Sequence, residues 1–327
     1  MPFIVRRLVF YLVAAWVAIT VNFFIPRVMP GNAIDTMMSK FPMLPPSAQK
    51  ALEAEFGVGH EGSLFHQYWT YLVDLLHGNL GLSVDLYPSS VSTVLGETVP
   101  WTLILVGTAT LISFALGTLL GILAAWRRGG TLDHVLPAFM FVQAIPYFFL
   151  ALLVIEVFAL HWHLFPFGQG YSLGLVPGWN LPFIESAVGH SILPALTIVV
   201  TSIGGWMLQM RNVMVTTIGE DYVVAAQAKG LPDRRVTFTY AARNALLPQL
   251  QGFGLALGFV VSGALVMEIV FSYPGIGYLL LNAAASKDTP LMQAIFLLIT
   301  IAVLAANLVV DLIIVFVDPR VRTREAT

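Results

Sequence analysis

Ionisable side chains interrupt three otherwise apolar stretches of the sequence. Glu156, Glu268 and Asp311 each end a run of more than 20 residues that lacks Asp, Glu, Lys and Arg. Charges at membrane depth are costly, so an ionisable residue in such a run is a functional candidate by default. We predict that Asp311 holds helix ends together. Glu156 and Glu268 keep two interpretations each, a functional group or a structural contact near the edge of the membrane.

Amide side chains are the second set of groups with useful chemistry. An amide both donates and accepts hydrogen bonds, so it can bind a peptide backbone or a sugar, or it can bridge two helices. The sequence does not choose between these roles, although Gln143 is kept as a functional candidate. The amides in or beside apolar runs are Gln143, Gln209, Asn244, Gln249 and Gln251.

Common motifs of catalysis and cofactor binding do not account for this chain. No Lys follows a Gly, so the phosphate-binding sequence GxxxxGK[ST] is absent, and HExxH is absent too. There are no cysteines, and the pair His161 and His163 has no third ligand at metal-like spacing. We therefore predict a non-catalytic chain with no cofactor or metal site of its own.

The composition places the chain in a membrane. Hydrophobic residues make up 57% of it and charged residues 10%, with a mean hydropathy of +0.82. Soluble domains carry about 25% charged residues, so a soluble enzyme is excluded and membrane lipid is an expected partner. The net charge of -2 lacks the basic excess that nucleic-acid binding needs.

Long intervals without charge define six predicted membrane-spanning helices, and so an all-α membrane protein. A span needs roughly 20 apolar residues. The first interval could instead be a signal peptide, but its apolar run is long and no cleavage site follows, which favours a retained anchor. The intervals are Arg7 to Arg27, Glu97 to Arg127, Asp133 to Glu156, Glu185 to Arg211, Arg243 to Glu268 and Asp288 to Asp311.

Prolines and glycines inside these intervals predict local geometry. Pro146 in the third span and Pro194 in the fourth are expected to kink their helices. Gly117 and Gly121 form a GxxxG pattern in the second span, which lets two helix backbones approach each other closely. Packing explains this pattern better than catalysis does.

The distribution of Lys and Arg predicts the orientation. With the N-terminus inside, 12 basic residues face the cytoplasm and 4 face outside, so both termini are predicted to be cytoplasmic. The loop between the first two spans, about Arg27 to Pro100, is large and extracytoplasmic in this arrangement. Within it, Leu64 to Leu76 has helical apolar spacing and is predicted to lie on the membrane surface.

Residues 212–248 form the connecting loop between the fourth and fifth spans, and two short helices are predicted there. Asp221 supplies negative charge at the start of the first helix, and Gly230 suits the left-handed position that ends it. Pro232 can begin the second helix. Small residues at Ala225, Ala226 and Gly230 predict a surface that another protein can approach, rimmed by Lys229, Arg234 and Arg235. An ordinary amphipathic connector is the alternative.

The segment from Asp221 to Pro248 resembles the EAA loop of ABC-transporter permeases, in the form found in the peptide/nickel permease family. One departure is Val224, which replaces the acidic residue that names the motif and removes an expected contact with the ATPase. Segments along most of the chain show the same likeness, among them PRVMPGN (26–32), GNLGLS (78–83), AIPYFFLAL (144–152) and EIVFSYPGIG (268–277). The matching loop residues are Asp221, Tyr222, Val223, Ala226, Ala228, Lys229, Gly230, Leu231, Arg234, Arg235, Arg243, Asn244, Ala245, Leu246 and Pro248.

The resemblance implies the type I ABC importer permease fold in a bacterial or archaeal cytoplasmic (inner) membrane. It implies an N-terminal region 1–100, a five-helix core 101–317 that contains the connecting loop, and a cytoplasmic tail 318–327. It also implies a second homologous permease, two ABC ATPase subunits that hold ATP and Mg, and an extracytoplasmic substrate-binding protein. The coupling residues carried over are Asp221, Tyr222, Ala225, Ala226, Lys229, Gly230, Leu231, Arg234 and Arg235, and the pathway or gate candidates are Glu268, Glu156 and Gln143.

Short peptides are the first expected cargo, and oligosaccharides or nickel are the alternative within the same kind of importer. An ion-coupled secondary transporter belongs to a different class. It is disfavoured because we find no internal repeat with broken midplane helices. An intramembrane enzyme is disfavoured by the missing protease motif.

Overall fold

The computed structural model describes residues 3–28, 45, 63–260 and 265–317. Regular secondary structure in these residues is helical, apart from one isolated antiparallel bridge between Leu82 and Ser90. The all-α prediction is therefore confirmed for this part of the chain. Residues 29–44 and 46–62 of the predicted first outer loop, which include part of the segment 26–32, and the tail 318–327 lie outside the described residues.

The helices are numbered here in chain order. Two π-helical segments accompany them: Ile155–His161 extends α5, and Val236–Ala242 joins α8 to α9. The helices are α1 Phe3–Val28, α2 Leu64–Leu76, α3 Val91–Trp126, α4 Thr131–Ala144, α5 Tyr147–Val154, α6 Leu181–Thr217, α7 Asp221–Ala228, α8 Asp233–Arg235, α9 Arg243–Val260, α10 Leu265–Val270, α11 Ile276–Ala285 and α12 Thr289–Val317.

Four helices in the described residues are long and apolar enough to cross a membrane, and they match four of the six predicted spans. They contain the stretches Arg6–Ile25, Val91–Trp126, Leu181–Thr217 and Thr289–Val309. The third predicted span is instead a pair of helices, α4 and the extended α5, bent by 95°. The fifth falls on α9 and α10, and residues 261–264 between them are not described. The count of six therefore stays a prediction.

Proline accounts for the break in the third span. Pro146 stands between α4 and α5, where its ring prevents a continuous helical ladder, so the predicted kink is present as a full interruption. Pro194, by contrast, lies inside α6, which runs unbroken from Leu181 to Thr217. Pro100 likewise lies inside α3, so the domain boundary predicted after residue 100 falls within one helix.

The GxxxG pattern marks a close helix contact, between α3 and α6. A Cβ at Gly117 would lie 2.5 Å from Trp206 Cβ, and a Cβ at Gly121 would lie 2.6 Å from the Met207 carbonyl oxygen. No larger side chain fits there without a shift of backbone. The predicted packing role of the two glycines is confirmed.

Polar contacts tie the first helix to the last one. The Tyr11 hydroxyl donates to Asp311 at 2.7 Å, and the Arg7 guanidinium pairs with the same carboxylate at 3.1 Å. Nearer the other ends of the two helices, the Asn22 side-chain amide donates to the Gln293 carbonyl oxygen at 2.8 Å. The prediction that Asp311 holds helix ends together is confirmed.

Helix α2 has the bounds expected from the sequence. Ser63 caps it by accepting the His66 N–H at 3.3 Å, and none of its residues is buried. The rings of Tyr68 and Tyr71 pack against Phe23 of α1, with centroids 5.1 and 5.6 Å away. The helix is therefore confirmed, whereas its place on a membrane surface stays a prediction.

We call the end of the bundle that carries the connecting loop the inner end, and the opposite end the outer end. At the outer end, Asp288 caps α12 by accepting the Leu291 N–H at 3.1 Å. The same carboxylate accepts the Ser83 hydroxyl and the Asp85 N–H, at 2.5 and 3.0 Å. This buried aspartate therefore fixes the segment after α2 against the last helix.

Candidate functional site

The connecting loop is a folded hook that packs on the inner ends of α3 and α6. Val223 and Ala226 of α7 are buried, at 0% and 3% exposure. They belong to a cluster that helices α3, α6 and α9 and the π-helical segment share. Its other buried members are Ile122, Ala125, Met210, Met214, Val236, Ala241, Ala242 and Ala245. Apolar packing therefore fixes the hook to the ends of the membrane helices.

Helix α7 presents two different faces. Asp221, Tyr222, Ala225 and Lys229 are exposed, with Tyr222 at 40%. The expectation that Ala226 shares this exposed small-residue surface is wrong. Its side chain points into the cluster, because positions 223 and 226 lie one turn apart on the inward face.

A glycine in the left-handed region ends α7, as predicted. Gly230 has φ +72°, and its N–H donates to the Gln227 carbonyl oxygen at 2.9 Å. A Cβ at this position would meet nothing within 4 Å, so the backbone conformation, not crowding, favours glycine here. Leu231 then turns back and packs against the cluster.

The second arm of the hook runs from Pro232 into α9 without a break. Pro232 precedes α8, and the Thr237 hydroxyl donates to the Asp233 carbonyl oxygen at 2.8 Å. Arg234 and Arg235 are exposed on this arm. The loop is thus shorter than predicted, since α6 continues to Thr217 and helical structure resumes at Asp233.

The exposed cations of the hook are available to a partner. Lys229, Arg234 and Arg235 form no ion pair within the described part of the chain, and Asp221 and Asp233 provide exposed acidic groups beside them. Mixed, unpaired charges around an exposed helix suit recognition of a charged protein surface. Among the described residues, no group of three His, Cys, Asp or Glu side chains is placed to hold a metal ion.

Charge pairs brace the neighbouring turn between α3 and α4. The Arg211 guanidinium of α6 bonds the Asp133 carboxylate at 2.6 Å, and the Gly129 N–H donates to the same carboxylate at 3.0 Å. Arg128 donates to the Val215 carbonyl oxygen at 2.9 Å. These bonds fix the turn against the helix from which the hook begins.

A cavity of about 620 Å³ lies between this turn and the second arm of the hook. Arg127 and Thr131 line it from one side, and Asp233, Arg234 and Phe238 line it from the other. The cavity places one predicted coupling residue, Arg234, opposite a basic residue of the α3–α4 turn.

Glu268, a pathway candidate, is fully buried at 0% exposure. One carboxylate oxygen accepts the Thr102 hydroxyl at 2.7 Å, and the other accepts the Gly277 N–H at 2.6 Å. The Thr102 oxygen also accepts the Ile276 N–H at 2.8 Å. In this chain Glu268 joins α3, α10 and the start of α11. The structural contact that the sequence allowed for Glu268 is therefore present, and its role in the pathway or gate stays a prediction.

Glycines make this buried network possible. A Cβ at Gly275 would overlap the Glu268 carboxyl group, and a Cβ at Gly277 would lie 2.6 Å from Leu265 Cα. The sequence offered a usable signal here, since two closely spaced glycines follow the buried acid. Thr102 had no such signal because it lies 166 residues away.

The other two pathway candidates, Glu156 and Gln143, are exposed. Glu156 lies on the π-helical segment of α5, where the surface position agrees with a group that reaches the membrane interface. Gln143 lies near the end of α4, against Gly205 of α6. Neither residue comes near the connecting loop in sequence or forms part of its cluster.

One hydrolase-like pattern does occur, because Gly170 to Gly174 reads GYSLG and fits GxSxG. In hydrolases this serine sits on a sharp strand-to-helix turn. Ser172 lies in an irregular loop instead, and its hydroxyl accepts from the Ser186 hydroxyl at 3.1 Å. The context does not support an acyl-transfer site.

Comparison with known proteins gives a consistent result. Residues 117–323 match a family described as "Binding-protein-dependent transport system inner membrane component". The chain is 32% identical to the di/tripeptide transport system permease protein DppB of Pseudomonas aeruginosa, over 98% of this chain and 99% of that one. It is 31% identical to the dipeptide transport system permease protein DppB of Escherichia coli, over 99% and 100%. It is 29% identical to the oligopeptide transport system permease protein AppB of Bacillus subtilis, over 92% of both.

Proposed function

The chain belongs to the family of binding-protein-dependent transport system inner membrane components, and on this basis we propose that it imports short peptides as one permease subunit of an ATP-driven transporter. Peptide cargo is supported by the names of relatives that align with nearly the whole chain. Oligosaccharides and nickel are less favoured, since the names of these three relatives specify peptides. Membership of this family places the chain in the membrane as a non-catalytic transport subunit.

The proposed topology has six spans with both termini in the cytoplasm. Four single-helix spans and one broken span support it, and α9 with α10 would supply the remaining one. In this topology the inner end of the bundle is cytoplasmic, which agrees with the clustering of basic residues there. The outer end, including α2, would meet an extracytoplasmic substrate-binding protein.

The exposed face of the connecting hook is the proposed docking site for an ATPase subunit. Two features of the connecting loop together carry this proposal. Its inward face is packed in the apolar cluster with α3 and α6, and its outward face carries exposed charges that form no ion pair. Because close-packed interiors transmit strain, a displacement of the connecting loop would be passed through this apolar cluster to α3 and α6. Hydrolysis of Mg-ATP would take place on two such partner subunits, beside a second homologous permease.

Replacement of Gly230 by arginine tests the docking proposal. Gly230→Arg strains the turn and places bulk at the end of α7, so we expect loss of ATPase co-purification and of peptide uptake into sealed vesicles. Gly78→Arg is the matched control, because Gly78 has φ +73° and equally open surroundings at the outer end. The control is expected to retain the ATPase subunits.

Three outcomes are informative. Loss of the ATPase with Gly230→Arg but not with Gly78→Arg supports the docking site. Equal retention in both variants would overturn it. Uptake by the unaltered complex that persists without ATP and follows an ion gradient would overturn the importer proposal itself.

A further inference from the structure

Gln143 of α4 and Gln209 of α6 lie exposed without a hydrogen-bond partner in the described part of the chain, as do Asn212 of α6 and Gln251 of α9. Gln249 of α9 behaves differently. It is buried at 0% exposure and donates to the Trp206 carbonyl oxygen at 3.0 Å, so it bridges two helices. The tertiary structure thus separates a structural amide, Gln249, from the unpaired ones, and among these Gln143 and Gln209 lie against glycines of facing helices.

Glycines on the facing helices make room for these two amides. The Gln143 amide nitrogen lies 3.0 Å from where a Cβ of Gly205 would be. The Gln209 amide nitrogen lies 3.2 Å from the equivalent point at Gly252 of α9. Gly205 and Gln209 are four residues apart on one face of α6, or about 6 Å along the helix. The four residues therefore form a continuous row across α4, α6 and α9, which we call the amide row.

Within the amide row, Gln143 lies at a depth where unpaired polar groups are costly, whereas Gln209 is two residues from Arg211 at the inner end of the predicted fourth span. Gln143 is twelve residues from the start of α4 at Thr131, which is about 18 Å along the helix, roughly the middle of a hydrocarbon core of about 30 Å. An amide that has no hydrogen-bond partner is costly in an apolar medium, because nothing there replaces its hydrogen bonds to water. Gln143 therefore requires water, a ligand or a polar partner surface rather than lipid tails.

The break in the third span points to the same surface. Pro146 follows Gln143 by three residues, and the backbone turns there by 95°. Non-helical backbone at membrane depth is tolerated where it is buried in protein or lines a water-filled cavity. Two independent features, an interrupted helix and an exposed amide, therefore meet at one level of the bundle.

We propose that the amide row lines the translocation pathway and binds the backbone of the transported peptide through Gln143 and Gln209. The proposal rests on the proposed function of the chain. An amide offers donors and an acceptor, which complement a peptide group of any sequence. Neither group carries charge, so the row recognises backbone rather than particular side chains.

Labelling of introduced cysteines tests whether water reaches the amide row. This test does not depend on which cargo is transported. The chain has no cysteine, so Gln143→Cys and Gln209→Cys each introduce a single thiol. Phe141→Cys is the matched control, since Phe141 is 71% exposed but lies two residues, about 200°, around α4 from Gln143. In the assembled complex, a membrane-impermeant maleimide is expected to label positions 143 and 209 and to leave position 141 unlabelled. The label is quantified on the band of the permease, which is separated from the bands of its partner subunits.

Two labelling results would overturn the proposal. If positions 143 and 209 stay unlabelled in every nucleotide state, a second permease or lipid covers the row. If position 141 labels as fast as position 143, the exposure is not specific to the row.

Transport by methionine variants tests the binding role. Gln143→Met and Gln209→Met keep side-chain length but remove the amide, and we expect the rate of dipeptide uptake to fall about fivefold in each, as for loss of one hydrogen bond. ATPase co-purification should not change. Unaltered uptake in both variants, with an active unsubstituted complex, would refute the binding role alone. An unsubstituted complex that takes up no peptide would instead refute the proposed function.

Discussion

The buried network around Glu268 gives a sharp prediction about stability. The Thr102 hydroxyl donates to the Glu268 carboxyl group and accepts the Ile276 N–H, and all of these groups are buried. Thr102→Val keeps the shape of the side chain but removes the hydroxyl. Two buried polar groups, one on α10 and one at the start of α11, then lose their partner at once.

The expected magnitude follows from these two losses. An unsatisfied buried donor or acceptor costs about 1–3 kcal/mol, with more for a charged group. Thr102→Val is therefore expected to lower the free energy of unfolding by about 3–5 kcal/mol. At about 2–4 °C per kcal/mol for chains of moderate size, the thermal midpoint should fall by at least about 6 °C.

Thermal denaturation of the purified complex in detergent is the assay, with Thr108→Val as the control. Thr108 lies on the same helix, is exposed, and donates only to carbonyl groups of its own helix, Ile104 and Leu105. Its replacement should change the unfolding free energy by less than about 0.5 kcal/mol. If the two variants denature at the same temperature, Thr102 does not hold α3, α10 and α11 together, and the reasoning fails.

Two further predictions concern packing. In each, the control is the same substitution at a second position of the same helix. Gly121→Ala should destabilise by about 1–3 kcal/mol, since its Cβ would meet backbone at 2.6 Å, whereas Gly96→Ala, with nothing within 4 Å, should be neutral or stabilising; equal midpoints in denaturation would contradict the α3–α6 contact. Val223→Asp places a charge at a site of 0% exposure and should cost at least about 3 kcal/mol and release the hook, whereas Val224→Asp, at 49% exposure, should stay within about 0.5 kcal/mol. Limited proteolysis of the connecting loop compares Val223→Asp with Val224→Asp. Equal cleavage of these two variants would show that burial of Val223 does not hold the hook in place.

Local signals in the sequence predicted much of the helical organisation. Apolar spacing predicted α2 at Leu64–Leu76, and the glycine and proline at 230 and 232 predicted the turn of the connecting loop. Intervals without charge located the four single-helix spans. These features depend on neighbours within one or two turns, so a linear sequence contains the information that decides them.

The direction in which membrane-helix side chains point was not predictable in the same way. In a helix of a soluble protein, the polar face marks the side that meets solvent. In a membrane both the protein core and the lipid are apolar, so the two faces of α3 or α6 differ little in polarity. Outside the spans, on α7, the adjacent residues Ala225 and Ala226 are alike in sequence too, yet one is exposed and the other is buried. Only packing on Met210 and Met214 distinguishes them.

The sequence by itself determined the environment, the helical class, the family and the location of the connecting loop, because charge placement and local motifs encode them. The tertiary structure decided the roles of the polar groups within the bundle. Glu268 became a structural partner because Thr102, distant in the chain, supplies its hydrogen bond. Gln249 became a bridge, whereas Gln143 and Gln209 stayed exposed. Hydrogen-bond partners across helices are set by how the helices pack, and that arrangement is a property of the whole fold.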